Sequence, residues 1–441
     1  MSPYSRSEQR GWYFYDFANS AFSSTVVTLF LGPYLTSVAK RGADAAGMIH
    51  PLGIPVEPRA YWGYLVSLSV ITQVLVLPLL GAISDRSNHK KTLLAVLAYL
   101  GAIATMAMFF IEGANYLFGG ALFLMANLTF GGSLVLYNSF LPEIAAPADR
   151  DAVSSKGWGI GYLGGGLLLA LNLVLYLKAK TFGISEAMAV RISLCSAGVW
   201  WALFTLIPMV TLRSRPAVRQ VKESDLWSGF REFGATLREL PRYPQTLTFL
   251  LAYLLYNDAI QTVIALAAQF GNDELGIGMS TLTQVILMVQ FVAFAGSIGF
   301  NYVSRVLGAK RSVMLALVIW TLVLLAMYFS VRTVGQFWAM SVVVAIIMGG
   351  SQALSRSLFS QMIPKGREGE YFSLYEISDK GTSWLCPLLF GLALQFTKSY
   401  RVAILSLIVF FVAGLILLAK VNVKRAALEA GNEPQEAAAI A

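Results

Sequence analysis

Glu376, Asp379, Lys380 and Ser383 fall at i, i+3, i+4 and i+7, so two acids, a base and a hydroxyl share one face of a helix. Asp16, Asn19, Ser20 and Ser23 repeat that spacing, with Phe14, Phe17, Ala21 and Phe22 on the other faces. A third set, Tyr253, Asn257 and Gln261, runs at i, i+4 and i+8 with Asp258 beside it. These sets, and Arg356, lie inside long apolar runs. A charge in hydrocarbon costs about 2.5–3.5 kcal/mol or more unless it is paired or faces a wet cavity, so such residues mark function. The chemistry they offer is proton uptake by desolvated carboxylates and bidentate binding of a carboxylate by a buried arginine.

Bond-making chemistry finds little support. His50 and His89 both fall in polar intervals, the acids show no metal-ligand spacing, and no glycine-rich phosphate loop ends in Lys-Ser or Lys-Thr. No enzyme, metal or cofactor is expected. Cys195 and Cys386 lie in apolar runs and imply no disulfide framework.

The elements that hold these residues are membrane helices. The chain is 56% hydrophobic and 13% charged, against roughly 25% charged for a soluble domain. Its apolar residues form twelve blocks, from 12–39 to 401–419. Each is near or above the roughly 20 helical residues that cross a bilayer. With both termini inside, most Lys and Arg fall in inner segments, including Arg86, Lys90, Lys91, Arg213, Arg215, Lys310, Arg311 and Lys424. The net charge of +9 is therefore a topology signal that also attracts anionic headgroups, and no nucleic-acid partner is expected. An inner plasma membrane with cytoplasmic termini is the expected location.

The longest polar interval divides the spans six and six, giving bundles at 1–212 and 244–419, a linker at 213–243 and a tail at 420–441. Leu226, Phe230, Phe233, Leu237 and Leu240 predict an amphipathic linker helix on the inner surface. The tail, polar and Ala-rich, is expected to be partly disordered. The halves echo each other: "GGSLVLYNSFLPEI" (131–144) resembles "GGSQALSRSLFSQMIP" (349–364), about 218 residues later. "GAISDRSNHKK" (81–91) has a degraded counterpart in "GFNYVSRVLGAKR" (299–311). A same-direction repeat of six spans is the footprint of a two-bundle transporter.

"GAISDRSNHKK" also resembles the loop motif of the major facilitator superfamily, with Gly81, Asp85, Arg86, Lys90 and Lys91 in place and Asn88 and His89 where Gly and Arg are usual. "YDFANSAF" (15–22) and "NSFLPEIA" (138–145) resemble the vacuole-effluxer family within it, whose fungal namesake exports amino acids from the vacuole. The resemblance implies an all-α polytopic protein with the major facilitator fold, spans three, six, nine and twelve facing lipid, and Asp85, Arg86, Lys90 and Lys91 as a conformational latch. It implies a secondary transporter of a small solute, an amino acid first; the carboxylates in the spans point to proton coupling, and a monomer is expected. A carrier of sugars, drugs or lipids and a non-transporting receptor are the other readings.

Asn19, Tyr137, Asn138, Tyr253, Asn257, Gln261, Arg356 and Lys380 are the candidate substrate contacts; Asp16, Asp258, Glu376 and Asp379 are the candidate proton carriers. Asp16 lies near the inner mouth, as a cap or a gate pair with a basic loop or as a proton or substrate contact. Asp258 lies roughly 21 Å into span seven, as an isolated proton carrier or as a carboxylate satisfied by its helix. Arg356 and Glu376 each lie about 9 Å from the inner end, so Arg356 is expected to pair with Glu376 or Asp379. That pair would be a permanent brace or a gate, or Arg356 or Lys380 would take a substrate carboxylate. Gly157, Gly161 and Gly165 in span five indicate close helix packing, with an antiporter signature as the alternative.

Overall fold

The computed structural model describes residues 4–216, 234–236, 238–380, 385–397 and 399–432. The expected linker helix falls mostly outside the described residues, as do Ser383, the side chain of Lys380 and the tail beyond Asn432.

Among the described residues, eleven helices are long and apolar enough to cross a membrane. They are α1 (Arg6–Arg41), α2 (Pro58–Arg86), α3 (Lys90–Phe110), α4 (Tyr116–Ile144), α5 (Arg150–Leu177) and α6 (Glu186–Thr211), then α7 (Pro244–Asp273), α8 (Met279–Leu307), α9 (Ala309–Phe329), α10 (Val334–Gln361) and α12 (Tyr400–Lys420). Between the last two lies α11, described as Glu368–Lys380 and Leu385–Thr397. The protein is an integral, multi-pass membrane protein.

Local chemistry sets several ends. Thr333 and Gln336 form a reciprocal capping box at the start of α10, and Ser185 caps α6 by accepting from the Met188 N–H. Gly308, at φ +80°, is the one-residue turn between α8 and α9, where a Cβ is disfavoured. One departure was not legible in the sequence: Phe22–Phe30 of α1 is wound as a π-helix. The Thr28 hydroxyl follows the wider turn by donating to Ser23 O, five residues back, at 3.0 Å. Of the tail, Val423–Glu429 is helical and Asn432 Nδ2 donates to Gln361 O and Ile363 O at the end of α10.

Buried apolar residues fall into two cores, one from Trp12 to Leu212 and one from Leu240 to Ala426. Each half thus packs around its own centre. The halves meet along two seams, α5 against α8 and α10, and α11 against α2 and α4. Gln9 Nε2 donates to Ile144 O at the end of α4, and Asn432 reaches the end of α10, so the first and last described stretches lie on one face. That side is the terminal face below.

Candidate functional site

Arg356 is 2% exposed at the centre of a polar cluster that joins the halves. Its Nη1 donates to Asp16 Oδ2 of α1 and to Asn138 Oδ1 of α4, both at 3.2 Å. Nε donates to Ser154 Oγ and Nη2 to Ser154 O of α5, both at 2.9 Å. Four of the five guanidinium N–H groups are thereby engaged. The guanidinium also lies 4.7 Å from the ring of Trp12, 5.4 Å from Trp158 and 5.5 Å from Tyr137, within cation–π range.

Asp16 has a second donor, the Tyr137 hydroxyl at 2.7 Å, while Trp12 Nε1 donates to Tyr137 O at 2.8 Å. Asp16 is therefore paired with a buried arginine of the other half and not with a basic loop. The expected partnership of Arg356 with Glu376 or Asp379 is not formed. Equal depth fixes height along the bundle but not direction around it; α10 turns Arg356 toward α1, α4 and α5, while α11 presents Glu376 to α4.

Glu376, also buried, accepts from Asn138 Nδ2 at 2.8 Å. Asp379 accepts from Asn257 Nδ2 in a short bond and from the Tyr253 hydroxyl at 3.3 Å. The Tyr253 ring stacks on Tyr375 at 4.2 Å, and Gln261 lies half-buried one turn beyond Asn257. Asp258 is 1% exposed and turns away from this group. Its Oδ2 accepts the Cys386 backbone N–H at 3.0 Å, so it is tied to α11 rather than isolated. Its Oδ1 is buried with no partner among the described residues. Asn19, buried one turn above Asp16, likewise keeps an unpartnered Nδ2.

At the mouth of the terminal face, Asp85 of α2 caps α11 from across the seam. Its carboxylate accepts the Gly369 N–H at 2.6 Å and the Glu370 N–H at 2.9 Å, two donors that a helix start leaves without intrahelical partners. A negative charge there is also favoured by the helix dipole. Lys90 donates to Glu143 at 2.6 Å and to Ser139 O at 3.0 Å, and so braces α3 to α4 within one half. Lys91 lines the same cleft, and Arg86 is half-buried beside it.

Sequence reasoning missed the contribution of α5. Ser154 Oγ donates to Ala353 O at 2.7 Å, Ser357 Oγ donates to Asp151, Arg150 Nη1 donates to Ser360 O at 2.8 Å, and the Tyr162 hydroxyl bonds Gln352. These bonds between halves run from the terminal face to about mid-depth, about 18 Å along α5 at Tyr162. The protein is held closed on that face. A signal for one contact was present: the repeat offset of 218 carries Asn138 onto Arg356, so the pair that touches is a pair of repeat-related positions.

The family model for vacuole effluxer Atg22-like proteins matches residues 4–431. An uncharacterized MFS-type transporter of Bacillus subtilis (strain 168), YxiO, is 31% identical over 415 residues, covering 93% of this chain and 94% of that protein. Autophagy-related protein 22 of Pyricularia oryzae is 25% identical over 505 residues, covering 91% of this chain and 74% of that protein. The structure of the major facilitator proton:xylose symporter XylE, bound to 6-bromo-6-deoxy-D-glucose, superposes with a TM-score of 0.69 at 13% identity, over 94% of this chain and 95% of that chain. The fold is the twelve-helix major facilitator fold.

Proposed function

We propose that this chain, which belongs to the vacuole effluxer Atg22-like family and is a major facilitator transporter, carries a small amino acid by proton-coupled alternating access. One observation carries the reading: a cluster of opposite charges, buried between two separately packed halves, closes the terminal face at Asp16 and Arg356. Two rigid bodies held together by a breakable polar contact are what alternating access requires.

In this reading the substrate binds beyond the closed cluster, against Asn19, Tyr253, Asn257 and Gln261. Its ammonium group faces the acids of α11. Its carboxylate competes with Asp16 for Arg356, whose donors are nearly all occupied in this state, or meets Lys380. Asp258, Glu376 and Asp379 carry the protons. Asp85 holds the closed state, with Arg86, Lys90 and Lys91 around it. In this reading the terminal face looks onto the cytoplasm of an inner membrane, an orientation that the Lys and Arg distribution supports, and the protein acts as a monomer among anionic lipids.

The test is exchange of radiolabelled amino acids, branched and aromatic ones included, in proteoliposomes with and without a pH gradient. Saturable uptake enhanced by the gradient is expected, with the enhancement lost and gradient-free exchange kept in Asp258→Asn. No exchange with any amino acid in folded protein discards the substrate class. A normal gradient effect in Asp258→Asn removes Asp258 from proton carriage.

A further inference from the structure

Asn138 is 3% exposed and touches both charged elements of the closed cluster. Its Oδ1 accepts from Arg356 Nη1 of α10 at 3.2 Å, and its Nδ2 donates to Glu376 Oε1 of α11 at 2.8 Å. A guanidinium only donates, so the amide oxygen must face Arg356 and the amide nitrogen must face Glu376. The orientation of this one side chain therefore satisfies two helices of the second half at once, from a position on α4 in the first.

We propose that Asn138 is a positioning residue which couples protonation of Glu376 to release of the Asp16–Arg356 pair. The inference rests on the proton-coupled reading above and deepens it. As a carboxylate, Glu376 holds the Asn138 N–H groups through a charge-assisted bond roughly twice as strong as the neutral acid can make. Protonation weakens that hold and gives Glu376 an O–H that the Asn138 oxygen can accept, so the amide can turn over. Rotation takes its oxygen from Arg356, which keeps Asp16 and Ser154 but loses one of its bonds into the first half. The closed state is weakened without either charge of the ion pair having to titrate.

Other charged and titratable groups surround Glu376. Tyr137 lies beside Asn138 on α4, Tyr253 faces from α7, Arg356 from α10 with Asp16 of α1 behind it, and Asp85 of α2 lies at the start of α11. On α11 itself Tyr375 and Asp379 flank Glu376, and Lys380 follows one turn later. Asp379 takes donors from Asn257 and Tyr253 of α7, whereas Glu376 takes the Asn138 amide of α4, so the two acids can be separated by mutation.

The experiment measures the distance between the halves on the terminal face. Spin labels go on His89→Cys and Lys365→Cys, exposed positions in opposite halves, with Cys195 and Cys386 replaced by alanine and the full chain in lipid vesicles. In the parent, acidification should raise the ratio of long to short distances by roughly tenfold, the scale of one charged hydrogen bond. Glu376→Gln should show the long distance at neutral pH and little further response, and Asp379→Asn should keep the parent response. Asn138→Ala should flatten the response to less than about twofold while both distances stay populated. Where Asn138→Ala does not fold, Asn138→Gln, which keeps the amide but displaces it by a methylene, is measured the same way.

A full response in the Asn138 variant overturns the proposal, as does a response that survives in Glu376→Gln or a parent that does not respond. Gradient-enhanced uptake by Asn138→Ala with an unchanged distance response removes the relay and leaves proton-coupled carriage standing. A parent that responds as described but exchanges no amino acid leaves the relay standing and removes the substrate class.

Discussion

Where α5 meets α8, glycine faces side chains: a Cβ on Gly159 would lie 2.7 Å from Ser297 Oγ, and one on Gly166 would lie 3.0 Å from the Cβ of Gln290. Where α2 meets α11, backbone faces backbone. A Cβ on Gly81 would lie 2.4 Å from Gly369 O, and one on Gly369 would lie 2.6 Å from Gly81 O. The seams occupy equivalent places in the two-fold plan, since α11 repeats α5 and α2 repeats α8. They are nevertheless built for different uses. In the proposed cycle, small faces backed by side chains would let α5 slide on α8 while staying in contact. The α2–α11 contact is short, precise and held by Asp85 at one end, so it is either made or broken. The same backbone-to-backbone approach recurs within halves, at Gly164 against Phe17 O and at Gly349 against Ala293 O, where no movement is needed.

The sharpest way to break the comparison is to remove the charge that both seams surround. Arg356→Met leaves Asp16 buried without its cation, a loss of about 3–5 kcal/mol for a broken buried pair. That cost falls on the closed state, because opening of the terminal face rehydrates Asp16. The closed population should fall by a hundredfold or more. The labels at positions 89 and 365 read this directly, and a distance distribution like the parent's would show that the seams close without the ion pair.

Next in size is Gly81→Ala. The added methyl meets the Gly369 carbonyl and the Glu370 nitrogen at the start of α11, and that backbone cannot move without releasing the two N–H groups from Asp85. Loss of about 1.5–3 kcal/mol for a bond to a charged acceptor shifts the face open by tenfold or more. Thermal stability should change little, since each half keeps its own core. A variant that is destabilised yet still closed would mean that the α2–α11 contact supports the fold and not the state.

Much of this was legible in the sequence, and what was not has a physical cause. The twelve helices follow from apolar length, and the polar stripe of α1 follows from its period, because both are properties of one helix. The partner of Arg356 is a property of how helices are rotated about their axes, which depth does not determine. The repeat did carry that information, since rotation about the axis between the halves brings repeat-related positions on α4 and α10 together. The π-helix of α1 and the bond from Cys386 to Asp258 left no trace in residue type, because each depends on backbone groups that every sequence shares.

The smallest expected effect sharpens the contrast. Gly159→Ala puts a methyl against Ser297 Oγ and, at 3.3 Å, against the Phe294 ring. The serine hydroxyl is bonded to Phe294 O within its own helix and has other rotamers, so it can yield without moving α8. Stability and the distance distribution should both stay within about 0.5 kcal/mol of the parent. Chemically this is the same change as Gly81→Ala, a single methyl at a helix crossing between the halves. If it locked the terminal face closed or forced it open, the α5–α8 seam would be as exacting as the other, and the sliding role assigned to it would fail. A silent Gly159→Ala beside an open Gly81→Ala would place the switch on the α2–α11 side, where Asp85, Asn138 and Glu376 already converge.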